Sequence, residues 1–512
     1  MYIPGALVAA YIFVRIFFWH RSERHRDIGG DGYFSLMMME EYKKNGHRPM
    51  EYLPRSIIPQ YKIYPSLGIY LFSFLDAGFV KRYAGLMNSV IDLAYLALLL
   101  FVLRLLQVDP AMIMITGLTF IFLPTIFNLN QTNPIHFDLS WRDLGRFLSS
   151  LYFLAFFLCA LTGDAALTAV MYGMAAAVFI LIYYSSQFAL QAAVFGSAIF
   201  SVLTGNAAFF AVPLAGSALI ALFDGKGLLR FYRGKINHMI SYYRSIRHTH
   251  TRVAGGFTFS PRHLTEAGKA LFALRFKAFM KIASQDPLLR GLMLFPIQVP
   301  VAISLYLIHD QVSILLLQWY LTAVILWFLT LSKALMIFGE PDRYLEFFGY
   351  FPILAGLGYA AAHQGPGLFL SIPAAYLTCA LQALYGLYGM GVSIKDPKPS
   401  IRAPSDRIAD MIRGKNVYPV NLSHGRLVAY AVECNVLLPP FCMSPSESAY
   451  ISAFPYPNWK NFRDVCSKYD IEYIVSYDHC RSPRSESVFE SVGEKVISED
   501  GVTLYKVAGR PV

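Results

Sequence analysis

A polytopic α-helical membrane protein with a small α/β domain at its C-terminus is the fold class this sequence predicts, and three observations predict it. Hydrophobic residues make up 55% of the 512 and charged residues only 15%, with a mean hydropathy of +0.44, whereas soluble domains carry about 25% charged residues. Apolar runs of the length that crosses a bilayer, about 20 helical residues, recur along most of the chain. From residue 395 onward the composition changes to that of a mixed soluble domain.

The apolar runs fall near 3–19, 86–107, 110–128, 144–163, 165–184, 186–203, 205–223, 291–308, 313–337, 347–362 and 367–390. The first has no basic segment before it and no small-residue cleavage site after Trp19, so it reads as an anchor rather than a cleaved signal. Segment 65–78 is apolar for too short a stretch to span and reads as a juxtamembrane or re-entrant helix. That reading sets the parity. It places four polar regions on one side: 20–63, 128–143, 224–290 and the tail from about 395. Only tight turns, Val108-Asp109, Gly163-Asp164 and 309–312, remain on the other. The region 224–290 holds 13 Lys and Arg against 3 Asp and Glu, ten of the chain's net eleven positive charges. By charge alone it belongs in the cytoplasm, although that rule weakens for loops beyond about 60 residues. Within this loop, 266–282 interleaves Phe and Leu with Lys269, Arg275, Lys277 and Lys281, the pattern of a helix lying in the membrane interface. Membrane lipids are therefore expected partners, and nucleic acid is not.

The proline-rich stretch 395–404 separates a membrane domain, 1–394, from a C-terminal domain, 395–512. In the latter, 404–414 reads as a helix opened by Ser405 and closed by Gly414. Segments 426–432, 472–478 and 502–508 read as strands. Cys159 and Cys379 fall in apolar runs and read as small buried residues. Cys434, Cys442, Cys466 and Cys480 all fall in the tail, where they form either two disulfides, implying an oxidising compartment, or four free thiols.

The first loop carries the most chemistry. Asp27 and Asp31 flank a glycine pair, so a flexible turn would present carboxylates just where the first span ends, and Tyr33 to Lys44 reads as an amphipathic stretch along the interface. A carboxylate there suits a general base or a metal ligand, and it equally suits an ordinary solvated loop. The order D-G-Y-F-S (31–35), a helix, N-G-H-R-P (45–49), then Y-P-S-L (64–67) resembles the first external loop of GT-C glycosyltransferases, membrane enzymes that use polyprenyl-phosphate-linked sugars. They include protein mannosyltransferases, aminoarabinose transferases and oligosaccharyltransferases. The chain departs from the family pattern at Ser35, where His is common, and at Ser66, where a second Pro is. LPTIFN (123–128), the loop with His136, Asp138, Arg142 and Asp143, YYSSQFALQ (183–191) and FGEPDRYLEFFGYFPIL (338–354) follow in the family's order.

The resemblance implies a GT-C-like membrane domain of about 11–13 spans, with Asp31 as the catalytic acid. It implies substrate contacts from Asp27, Tyr33, Tyr64, Gln187, Arg262, His263, Arg343 and Tyr344. A divalent ion, Mg or Mn, would be held by Asp31, His136 and Asp138. Asp138 also suits a helix cap, and Arg343 with Tyr344 also suits an interfacial anchor. The N-terminus would be cytoplasmic and the polar face extracytoplasmic, in a cell or endoplasmic-reticulum membrane. The implied reaction moves a sugar from a polyprenyl-phosphate donor to an acceptor whose identity the sequence leaves open. Two other classes fit a polytopic chain. A transporter or flippase of lipid-linked sugars would place ionisable residues near the midplane, where Asp92, Arg104 and Lys333 are the main candidates. A catalytically degenerate scaffold would differ only at motif positions such as Ser35.

Overall fold

The computed structural model describes residues 2–21, 28–48, 50–58, 67–122, 141–243, 259–363, 403–420, 422–437, 462–478 and 483–508. Short polar turns cut the apolar sequence into antiparallel helices. Asp109 accepts from Ala111 N–H and is followed by Pro110 at the first helical position. Asp164 accepts from Leu167 N–H, and Asp310 forms a reciprocal cap with Ser313. Each satisfies donors that a helix start otherwise leaves unpaired. The spans so delimited are α1 (Tyr2–Arg21), α4 (Ala77–Leu105), α5 (Pro110–Ile121), α6 (Arg142–Leu161), α7 (Ala165–Ser185), α8 (Gln187–Thr204), α9 (Ala208–Ser241), α13 (Gln298–Ile308), α14 (Gln311–Thr330) and α16 (Tyr350–His363). Seven stretches among the described residues are long and apolar enough to cross a membrane, and three shorter apolar helices accompany them. Ten of the eleven expected spans thus find a helix, while 367–390 lies outside the described residues.

The bundle is apolar outside as well as inside. Phe13, Val90, Val170, Val202, Leu222 and Phe223 are exposed on its surface, whereas Tyr152, Phe153, Phe156, Trp319 and Phe351 are fully buried. Lipid is the solvent such a surface requires, because no aqueous fold leaves so many large apolar side chains outside. The turns sort into two ends. Gln311 Nε2 donates to Ala160 O at 3.0 Å, and Tyr359 Oη donates to Asp310 at 2.5 Å, so the turns 162–164 and 309–310 share one end. The other end carries the longer polar segments among the described residues, 28–58, 259–287 and 331–346. Segment 65–78 does not cross: its helix α3 (Leu67–Phe72) has six residues, about 9 Å at 1.5 Å per residue, and Asp76 then caps α4. Helix α9 bends at Asp224 (φ −140°, ψ 50°), whose carboxylate accepts from Gly227 N–H and restarts the helix.

The C-terminal domain is a five-stranded sheet ordered β2-β1-β3-β5-β4, with β1 (Asn416–Pro419), β2 (Asn435–Val436), β3 (Tyr473–Tyr477), β4 (Gly493–Glu499) and β5 (Val502–Val507). β1 runs parallel to β2 and β3, and β5 runs antiparallel to β3 and β4. Ser405 caps the helix α17 (Asp406–Ile412) and Gly414 follows at φ +69°, as expected. Segment 426–432 corrects the strand expectation: it belongs to α18 (Leu422–Val432), a helix buried around most of its circumference, with Leu427, Val428, Ala429 and Val432 in the core shared with α2. Two further helices, α19 (Phe462–Lys468) and α20 (Pro483–Val492), cover the sheet. Cys434 and Cys466 are free and buried, their thiols pushed up to about 12 by burial. Cys442 and Cys480 lie outside the described residues.

This domain is fused to the first loop rather than hung from a linker. Helix α2 (Gly29–Lys44) shares one core with α18, β1 and β3. Val436 N–H donates to Arg55 O and Ile57 N–H to Val436 O, so the first loop adds a short parallel pairing at the β2 edge. Arg55 is the fastener. Its guanidinium donates to the carbonyls of Ala429 (2.6 Å) and Tyr430 (3.2 Å) and to the carboxylates of Glu41 (3.2 Å) and Glu433 (3.0 Å). Hydrogen bonds to charged groups are worth about 1.5–3 kcal/mol each way they are broken. Arg55→Ala is therefore expected to speed hydrogen exchange in α2 and α18 by about tenfold or more while leaving the spans unchanged. Lys44 and Arg55 hold Glu433 below the usual carboxylate range. A depressed acid stabilises above its unfolded pKa, and that contribution disappears as pH falls through the folded value. The junction is thus expected to loosen only under acid conditions.

Candidate active site at the polar end of the bundle

Helix α2 roofs the polar end. Tyr33, Phe34, Leu36, Met37, Met38, Met39 and Tyr42 are all buried, clasped between the C-terminal domain and the outer ends of α4 and α6 through Val80, Ala84 and Trp141. The expected amphipathic helix on the membrane surface is corrected: burial on every side explains why its apolar residues follow no single stripe. The glycine pair expected to form a flexible turn is the first turn of α2, and Asp31 occupies the third position of that helix. The side chain of Asp31 lies outside the described residues. At the far end, His47 turns the chain with φ +59°, stacks on Phe74 at 4.1 Å and contacts Ser73 Oγ at 2.9 Å.

Directly beneath this roof lies a buried ionic network that the sequence concealed. Arg15 of α1 meets Asp92 of α4 at 3.0 Å. Arg146 of α6 meets the other oxygen of Asp92 and, at 3.1 Å, Asp143. All four side chains are at most 4% exposed. Two cations and two anions balance, as charges withdrawn from water must. Aromatic faces complete the shell, Tyr11 under Arg15 at 5.1 Å and Tyr95 under Arg146 at 5.5 Å. Trp141 and Leu144, on the same turn as Asp143, touch the core beneath α2. The network therefore couples the roof to three spans. Arg15 sits in an apolar run and resembles a snorkelling residue in sequence. Its partner is 77 positions away, so only an unexplained charge in each span signalled the pair.

A second polar arc completes the rim. It uses the short helices α10 (Pro261–Phe272), α11 (Phe276–Gln285) and α12 (Pro287–Leu294), then α15 (Asp342–Tyr344) and a π-helical turn, Leu345–Gly349. Asp286 is fully buried and accepts from Leu288, Leu289 and Ser260 N–H while contacting His263 Nδ1 at 3.2 Å. Arg290 pairs with Asp342 at 2.5 Å. Next to Asp342, Arg343 places its guanidinium 5.8 Å from the Phe188 ring and binds Glu340 through Nε at 3.1 Å. Its two Nη groups have no hydrogen-bond partner among the described residues. Tyr344 is buried, packs against the Phe188 ring at 4.9 Å with the planes tilted by 50°, and donates to Phe338 O at 2.6 Å.

The structure so brings Gln187, at the start of α8, together with Arg343 and Tyr344 through Phe188. It joins His263 through Asp286 and α12 to the same rim. Arg262 points outward and pairs with Glu266 at 2.8 Å. Tyr33 faces Tyr430 at 6.0 Å and Lys81 at 5.8 Å, inside the core shared with the C-terminal domain. Asp27, Tyr64, His136 and Asp138 lie outside the described residues. Among the described residues no three His, Cys, Asp or Glu side chains gather as metal ligands.

No protein-family model matches this chain, and no curated protein matches it in sequence. Solved structures do match. The oligosaccharyltransferase of Archaeoglobus fulgidus, tethered with an acceptor peptide containing the NVT sequon, is 14% identical with a TM-score of 0.55, covering 98% of this chain and 74% of that one. The same figures hold for the archaeal oligosaccharyltransferase AglB from Archaeoglobus fulgidus in complex with an inhibitory peptide and a dolichol-phosphate. A third structure, the Archaeoglobus fulgidus enzyme in complex with Zn and sulfate, also has 14% identity and a TM-score of 0.55, covering 96% and 73%. At this identity the likeness is one of fold, and it extends over nearly the whole chain.

Proposed function

We propose, for a chain that has the GT-C membrane-glycosyltransferase fold, that it transfers a sugar from a polyprenyl-phosphate-linked donor to an acceptor at the extracytoplasmic membrane surface. The observation that carries this reading is the convergence of the polar elements. One end of an otherwise lipid-facing bundle holds the α2 turn bearing Asp31 and the rim bearing Arg343, and the donor's lipid tail can reach that end through the bilayer. A neighbour of this fold was solved with dolichol-phosphate and a peptide, which supports a lipid-phosphate donor and a separate acceptor.

In the proposed reaction an acceptor nucleophile attacks the anomeric carbon while its proton passes to Asp31. The bond between that carbon and the phosphate oxygen breaks, and the polyprenyl phosphate leaves with the electron pair. Arg343, whose Nη groups are uncommitted among the described residues, receives the developing phosphate charge through a planar donor fork. The ionic network acts indirectly, by fixing α1, α4 and α6 under the roof.

The reading is tested in proteoliposomes supplied with a lipid-linked sugar labelled in the sugar, by following appearance of label in water-soluble or protein acceptors. Arg343→Ala is expected to lower kcat/KM for the donor about 10–100-fold, the value of a charge-assisted pair to phosphate. Arg343→Lys is expected to restore part of it, since the charge returns without the fork. Unchanged kinetics in Arg343→Ala would remove that residue from the phosphate site.

A further inference from the structure

Helix α9 contains a second surface that the sugar-transfer reading does not use. After the bend at Asp224 its remainder, 225–241, runs sideways. Phe231 packs on Tyr183 near the polar end of α7 at 5.7 Å, and just beyond the helix Tyr242 and Tyr243 donate to the carbonyls of Lys333 and Ala334 after α14. Both anchor points are outer ends of spans, so the helix lies across the bundle at the depth of the membrane interface. Leu229, Tyr232, Ile236 and Ile240 are 70%, 47%, 57% and 42% exposed. Their spacing of three and four residues makes one continuous stripe facing away from the protein. Lys226 and Arg233 are exposed along the same side, and 225–241 contains four Lys and Arg and no acid. An apolar stripe edged by cations is how a helix engages acyl chains and lipid phosphates together. Arg230, on the adjoining face, pairs with Glu51 of the first loop at 2.5 Å, so the helix also ties the lipid surface to the loop that follows α2.

We propose that residues 225–241 form a lipid-docking helix that selects anionic head groups of the surrounding leaflet through Lys226 and Arg233. This inference does not depend on the chain being a transferase. The test is the relative association of spin-labelled phosphatidylglycerol and phosphatidylcholine with the full-length protein in vesicles. With the two cations each contributing roughly one kcal/mol at the interface, the wild type is expected to favour the anionic lipid about 30-fold. The double variant Lys226→Gln with Arg233→Gln is expected to lose most of that preference, and the charge-preserving Lys226→Arg with Arg233→Lys to keep it. Equal association of both lipids with the wild type would overturn the proposal, as would wild-type selectivity in the Gln variant. So would a preference abolished by a stoichiometric amount of polyprenyl phosphate, which would assign these cations to the donor instead.

Discussion

Asp31→Asn is expected to lower sugar transfer about 10²–10⁴-fold, the usual contribution of a positioned general base, with little change in thermal stability. The substitution keeps size and shape while removing the negative charge and the ability to take a proton. Asp31 sits in the first turn of a helix whose next two turns are buried on all sides. The backbone that carries it is consequently held by packing and will not shift when the charge is lost. Transfer is measured from the labelled donor, and folding of the same preparation by heat denaturation in detergent. A variant that transfers at the wild-type rate would remove Asp31 from the chemistry. A variant that loses rate and stability together would make its role structural.

The largest stability effect is expected at Asp92. Asp92→Ala leaves Arg15 and Arg146 buried with Asp143 as their one remaining acid in the network. Stripping one partner from a buried ion network costs about 3–5 kcal/mol, enough to bring a protein of ordinary stability close to unfolding. A compensated variant separates charge imbalance from loss of shape. Arg15→Met combined with Asp92→Leu removes one cation and one anion and leaves the Arg146–Asp143 pair at 3.1 Å intact. It is expected to regain most of the lost stability, because apolar replacements of buried ion pairs are often neutral. If the double variant is as unstable as Asp92→Ala, the network is valued for its geometry rather than its charge balance. This network also bears on a transporter reading. Arg15 lies six positions before the end of α1 and Arg146 five residues into α6, so these charges sit near one membrane surface. They neutralise one another instead of lining a midplane path.

Much of the membrane architecture was legible because length and hydropathy govern helices in lipid. The spans at 144–163 and 165–184 appear within two residues of their expected starts as α6 and α7. The short apolar stretch 65–78 was rightly read as non-crossing on length alone. Misreadings arose where tertiary contacts outweighed local pattern. Segment 426–432 looked strand-like, yet it folds as the helix α18, whose Leu427, Val428, Ala429 and Val432 enter the core shared with α2. Tyr33–Lys44 was read as an interfacial helix, yet it is enclosed between the C-terminal domain and the ends of α4 and α6, contacts that local periodicity does not signal. The two-residue strand β2 and its pairing with Ser56 leave no sequence signal at all. At the candidate site, Arg343 and Gln187 were findable from motif order. The partners Arg15 and Asp92 were hidden by separation.

The claim on which the rest depends is that a polyprenyl phosphate binds at the end of the bundle shared by α2, the start of α6 and the turn 331–346. Photo-crosslinking with a diazirine placed next to the phosphate of a polyprenyl-phosphate probe, in proteoliposomes, followed by peptide mapping, tests it without knowledge of the acceptor. Saturable crosslinks in α2, around Trp141–Arg146 or around Glu340–Tyr344 are the expected result. Saturable crosslinks confined to the opposite turns at 106–109, 162–164 and 309–310 would contradict it.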